Sequence, residues 1–126
     1  VQSRVVFLSW VPYSKLLELT ASADLGLAVI KPLSLSYYNA LPNKLFEYAL
    51  AGIPSIGSNL PEINNILKDV RLGVASEYNH SSILSAIQYV LKNKQIYDPE
   101  IIQDIAKKNF VWETQKKILI ECINEQ

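Results

Sequence analysis

Short, almost unbroken apolar runs alternate with segments of helical period along this chain, and that alternation limits the fold more than any other feature. Four runs qualify as strands: Arg4-Val-Val-Phe-Leu-Ser9, Leu25-Gly-Leu-Ala-Val-Ile30, Pro54-Ser-Ile-Gly-Ser58 and Leu72-Gly-Val-Ala75. A strand that is apolar throughout, and not merely at every second residue, is expected to be covered on both faces. Neighbouring parallel strands need a crossover between them, and the usual crossover is a helix. The expected fold is therefore α/β: a Rossmann-like parallel sheet with helices on both faces.

The helical segments fill the gaps. Tyr13 to Ser22 places Leu16, Leu17, Thr20 and Ala21 on one face. Asn43 to Ala51 is closed by Gly52, the residue that best tolerates a left-handed stop. Asn59 and Glu62 have the spacing of a reciprocal N-terminal cap, with the helix running to about Leu67. Ser81 or Ser82 is expected to cap a helix whose Ile83, Leu84, Ile87, Val90 and Leu91 form an apolar stripe. Asp98-Pro99 opens another, holding Ile102, Ile105 and Ala106. The last starts near Trp112, which is expected to anchor it, with Leu119, Cys122 and Ile123 turned inward. No strand separates these final two helices, so they read as an appendage, with residues 109–126 as its terminal part. The segment 31–42, rich in Ser and Tyr and closed by Pro42, reads as a loop. It is long for a compact domain. With no internal repeat and no boundary, residues 1–126 read as one domain.

Charge and cysteine content narrow the function classes. Lys plus Arg and Asp plus Glu are 12 each, so no net field draws in nucleic acid or an anionic membrane. Any phosphate site must be local, built from a helix start and one or two cations. A single cysteine, Cys122, excludes an internal disulfide and a Cys-rich zinc site. The expected compartment is the cytoplasm. No apolar run is long enough to span a membrane, and no Gly-x-Gly-x-x-Gly or Walker-type loop is present. Val1 stands where a starting Met would, with a strand expected almost at once, so the chain reads as a piece of something longer.

In a parallel α/β sheet the ligand sits beyond the carboxyl ends of the strands. Three loops reach that edge: 9–13, 31–43 and 57–61. The most informative stretch is Leu41-Pro-Asn-Lys-Leu-Phe-Glu-Tyr-Ala-Leu-Ala-Gly-Ile-Pro54. It puts a helix start at the ligand edge, where the first N–H groups lack helical partners and the helix dipole is positive. A diphosphate suits such a place. Lys44 lies in the first turn, where a cation opposes the dipole unless an anion sits between them. Glu47, three residues on, shares its face, and a carboxylate there can accept from two vicinal hydroxyls, as on a ribose. Taken alone, Glu47 and Lys44 are ordinary exposed helix residues, and Asn43 is equally a helix cap. Tyr37 and Tyr38 can stack on a ligand or pack on their own domain. His80, the sole histidine, has no acid or nucleophile beside it in sequence and is expected at the surface.

The series Val6-Phe-Leu-x-x-Val-Pro12, Ala23-Asp-Leu-Gly26, Pro42-Asn-Lys-Leu-Phe-Glu-Tyr48, Ala51-Gly-x-Pro54 and Ser58-x-Leu-Pro-Glu62 resembles the C-terminal domain of family 4 retaining glycosyltransferases. The ending, Asn109-Phe-Val-Trp-Glu-Thr with Lys116-Lys-Ile-Leu-Ile-Glu121, is similar to their final helix. That resemblance implies the C-terminal half of a GT-B architecture, two Rossmann-like domains with the active site between them. It implies that Glu47 holds the donor ribose, that amides around Asn43 to Leu45 hold the diphosphate, and that Trp10-Val11 borders the nucleobase. Members often carry a second glutamate, eight residues earlier, on the donor sugar; here that position is Asn39, whose amide can still bond a sugar hydroxyl. The implied donor is a UDP- or GDP-sugar, used without a metal cofactor. The implied partner is an N-terminal acceptor-binding domain, the full-length enzyme lying at the inner membrane face and building bacterial surface polysaccharide. This fragment alone is expected to bind donor and transfer nothing. Two other readings stay open: a nucleotide-sugar epimerase on the same architecture, and a non-catalytic flavodoxin-like binding module.

Overall fold

The computed structural model describes residues 4–124. Its centre is a parallel sheet of three short strands, β1 (Gly26–Ala28), β2 (Ser55–Ser58) and β3 (Gly73–Ser76), in the order β1-β2-β3. Seven α-helices surround them: α1 (Tyr13–Ala21), α2 (Leu35–Tyr38), α3 (Asn43–Ala51), α4 (Pro61–Leu67), α5 (His80–Lys92), α6 (Pro99–Asn109) and α7 (Trp112–Asn124). The register aligns Leu27, Ile56 and Val74 across the sheet. All four residues of β2 are buried, as the middle strand of a covered sheet requires. The fold class is α/β with a parallel sheet of Rossmann-like kind.

The first expected strand does not form. Residues 5–12 have no regular structure, and Val6, Phe7 and Trp10 are 78%, 92% and 84% exposed. Apolar composition states a preference for burial and pairing, but a strand exists only against a partner ladder. Among the described residues this run has none, and the outer edge of β1 stays open.

Two of the expected caps also move. Pro61 takes the first position of α4 and Leu60 its N-cap, with no side-chain bond to the helix amides. Asn59 is drawn elsewhere: its amide donates to Glu77 Oε1 and its oxygen accepts from Asn64. α5 is capped by Asn79, not Ser81 or Ser82, its oxygen taking the Ser82 N–H at 2.8 Å. Asp98 caps α6 as its side chain allows, accepting from Glu100 N at 2.9 Å. Within the expected loop 31–42, Ser34 starts the single turn of α2 by accepting from Tyr37 N.

α3 carries the layout of the domain because each of its sides meets a different neighbour. Leu45 and Ala49, one turn apart, enter the core with Ile56 and Ile63. Phe46 meets Phe110 edge-on, ring centroids 5.2 Å apart, and α6 packs along that side. Glu47 and Leu50 face α1. Gly52 ends the helix at φ 78°, the left-handed conformation that glycine adopts without strain. α6 is accordingly core, contrary to its expected place in an appendage: Ile102 and Ala106 are fully buried. α7 buries no residue and touches α6, so Trp112 is exposed and no anchor, and Cys122 is exposed also. The last two residues of the expected appendage, 125–126, lie outside the described residues. His80 is exposed, as expected.

Tyr48 fixes α3 to the sheet. Its ring lies over Gly26, where any Cβ would collide with it, and its hydroxyl donates to the Leu27 carbonyl at 3.1 Å. Burial raises the phenol pKa above its ordinary value, and the negative Glu47 beside it adds to the effect. Burial likewise raises that of Tyr97. Both shifts favour the neutral phenol in the folded state. Their stabilisation is therefore intact below the ordinary tyrosine pKa and is lost as pH rises through the raised values. Tyr48→Phe is expected to lose about 1 kcal/mol of stability at neutral pH and to flatten the alkaline decline, measured by urea unfolding across pH. Gly26→Ala is expected to cost about 1–3 kcal/mol, read in the same assay.

Candidate functional site

The carboxyl edge of the sheet is set by a buried hydroxyl. Ser58, the last residue of β2, accepts from Ile30 N at 2.7 Å and donates to the Ile30 carbonyl at 2.8 Å. The side chain thus holds the chain two residues past the end of β1. It pins the point where the chain leaves the sheet for α2 and the start of α3. Nothing in the sequence pattern marks this pair, because a serine at a strand end is common and its partner lies 28 residues away.

α3 opens without a side-chain cap. Its N-cap is Pro42, which offers no side-chain acceptor. Leu45 N–H bends back to the Pro42 carbonyl at 3.2 Å, and its side chain is buried. Among the described residues, nothing accepts from the N–H groups of Asn43 and Lys44. Asn43 is the first helical residue and not the cap. Both side chains are exposed, and Lys44 makes no ion pair among the described residues. The three amides expected to face a ligand are thus two, with Leu45 turned to its own backbone.

Glu47 is partly buried and one turn farther in, about 6 Å along the axis from Asn43. It lines a cleft of about 250 Å³ between α1 and α3, shared with Tyr13, Ser14, Leu16, Leu17, Thr20 and Leu50. No hydrogen bond or ion pair engages its carboxylate among the described residues. Sequence reasoning missed the α1 side of this cleft. The signal was present as Ser14, Leu17 and Thr20 at helical spacing, but which helix they face depends on packing.

The remaining expected residues lie apart from the cleft lining. Asn39 ends α2, and its amide donates to Leu35 O at 3.1 Å, leaving its oxygen for other partners. Trp10 is exposed and Val11 partly buried, in the segment that leads into α1. Like α3, α1 starts at a proline N-cap, Pro12, with no side-chain bond to its amides. The two packed helices therefore both begin uncapped. A wider, shallower groove of about 750 Å³ runs between β3 and α5. Among the described residues no group of His, Cys, Asp and Glu could hold a metal ion, and no helix is long and apolar enough to cross a membrane.

Comparison with protein-family models, with curated proteins and with solved structures gives no match. The arrangement has two chemical capacities: an anion can be received at the start of α3, and Glu47 can accept hydrogen bonds from hydroxyls. An uncapped start weakens the helix, so a supplied acceptor should strengthen it. Pro42→Asp is expected to raise stability by about 1 kcal/mol, measured by thermal unfolding; no gain would mean the amides of Asn43 and Lys44 already have a partner.

Proposed function

We propose that this chain is the donor-binding half of a GT-B retaining glycosyltransferase, taking a UDP- or GDP-sugar. The observation that carries the reading is the open first turn of α3, with Lys44 beside it and the unpaired carboxylate of Glu47 one turn away. The series of motifs that resembles family 4 enzymes gives those residues their roles. The diphosphate lies against the N–H groups of Asn43 and Lys44, where the dipole and the lysine both favour it. Glu47 accepts from the ribose hydroxyls. Asn39, through its free oxygen, is the candidate for the donor sugar, and Trp10-Val11 for the base.

In this reading the nucleotide is the leaving group, and charge grows on its phosphate as the sugar departs. Fixed amides and a cation already aimed at that charge lower the barrier without reorganising. The acceptor belongs to a second domain, so the chain binds donor and does not transfer it. The full enzyme works at the cytoplasmic face of a membrane, on surface polysaccharide.

Titration by NMR with UDP and GDP tests the reading. Shifts centred on residues 39–47 are expected, and shifts confined to other regions would remove it. Glu47→Ala is expected to weaken nucleotide binding by about ten- to a hundredfold, with an unchanged unfolding transition. Pro42→Asp places a carboxylate on the same amides and is expected to abolish binding while stabilising the fold. Binding of UDP by that variant at wild-type affinity would assign the nucleotide to another place.

A further inference from the structure

Residues 5–11 and the free side of β1 each lack what the other has. The run Val5-Val6-Phe7-Leu8 is apolar, β-branched or aromatic for three of its four residues, and exposed throughout. Among the described residues, no backbone hydrogen bond involves residues 5–11. On the sheet, Gly26 N–H is spent on Pro54 O and Ser58 holds Ile30, both from the β2 side. Successive peptide groups of a strand point to opposite edges, so those of Leu25, Leu27 and Val29 face the open side. The Leu27 carbonyl accepts from the Tyr48 hydroxyl and keeps a second lone pair. Proteins blunt such an edge with Lys, Pro or other charges. Leu25 to Ile30 contains none of these, and Leu27 is 44% exposed.

We propose that two copies of this chain pair by exchanging arms, residues 5–8 of each adding a fourth strand to the outer edge of β1 in the other. Arm and edge are both uncharged runs, and of similar length. The connection favours exchange over return to the same copy. α1 starts at Pro12, with φ −55° and ψ 140°, and the residue before a proline is held extended. Only Ser9 and Trp10 are left to reverse the chain, and neither is a glycine. A short, stiff hinge of this kind sends the arm outward and invites exchange. The area suffices. Phe7 and Trp10 carry roughly 150–250 Å² each. Two arms and the two edges beneath them then reach about 1,200 Å², enough for a stable, specific pair. Charge does not oppose the contact, since Lys plus Arg and Asp plus Glu are 12 each. The pairing goes beyond the donor-site reading and stands or falls without it.

The test is sedimentation velocity at rising protein concentration, with the wild type, Val6→Pro, Phe7→Pro and Ile123→Asp. Both proline positions lie outside regular structure, so the fold is expected to survive, as thermal unfolding will show. The wild type is expected to pass from monomer to dimer. Proline removes one N–H, and N–H groups of neighbouring strand residues point opposite ways. One proline variant is therefore expected to weaken the dimer by about tenfold or more, and the other far less. Ile123→Asp, on the exposed side of α7, leaves the dimer intact. A wild type that stays monomeric overturns the proposal. So does a dimer that survives both prolines, or one that both weaken equally, which marks apolar contact without a ladder. Loss of the dimer in Ile123→Asp overturns it by placing the contact on α7. A monomer whose amides at 5–8 resist hydrogen exchange overturns it too, because the arm then closes on its own β1.

Discussion

Tyr48 lying across Gly26 is the contact on which the geometry of the carboxyl edge depends. The ring can approach β1 closely only because that residue has no Cβ, and the bond to Leu27 O then fixes the distance. The ring holds α3 against the sheet by one side, while Phe46 meets Phe110 on another and Leu50 meets α1 on a third. A helix held on three sides cannot rotate about its axis without breaking one of them. The direction in which Glu47 points is thus a consequence of core packing. Glu47 itself contributes nothing to fixing it.

The same logic applies to the start of α3. Ser58 clamps Ile30, two residues beyond β1, and the chain then passes through α2 before Pro42. The segment between strand and helix is anchored at both ends, by a buried hydroxyl on one side and by Leu45 in the core on the other. Two unpartnered amides held on such a frame are preorganised. Their positions do not have to be found when a ligand arrives, and little conformational entropy is lost on binding.

Local signals in the sequence were read well, and non-local ones were not. α3 has the bounds expected of it because its stop is a property of Gly52 alone. β2 and β3 fall within a residue of the expected runs, since each is short, apolar and bounded by turn residues. The run Arg4 to Ser9 has the same composition and forms nothing, because its partner is not determined by its own residues. The caps show the same division. Asp98 behaves as its type suggests, while Asn59, with equal propensity, is claimed by Glu77 and Asn64. Of the site, Asn43, Lys44 and Glu47 could be named from spacing on a single helix. Tyr13 and Ser14 could not, because a cleft between two helices depends on both.

Two packed helices that both start at proline, with no side-chain acceptor, form an unusual pair for a stable domain. Ser, Thr, Asn or Asp at either position would satisfy an amide and add stability. α2, α5 and α6 have such caps at Ser34, Asn79 and Asp98. The chain therefore caps helices with side chains at several places, but not at these two, nor at α4, whose N-cap is Leu60. Of the two starts, that of α3 also has a lysine in its first turn, where it adds to the positive end of the dipole and so destabilises the empty helix. Helix energetics alone would select against Pro42 and Lys44 together. A bound anion reverses the sign of both terms at once: it supplies the missing acceptor and turns the lysine from a repulsive neighbour into a partner.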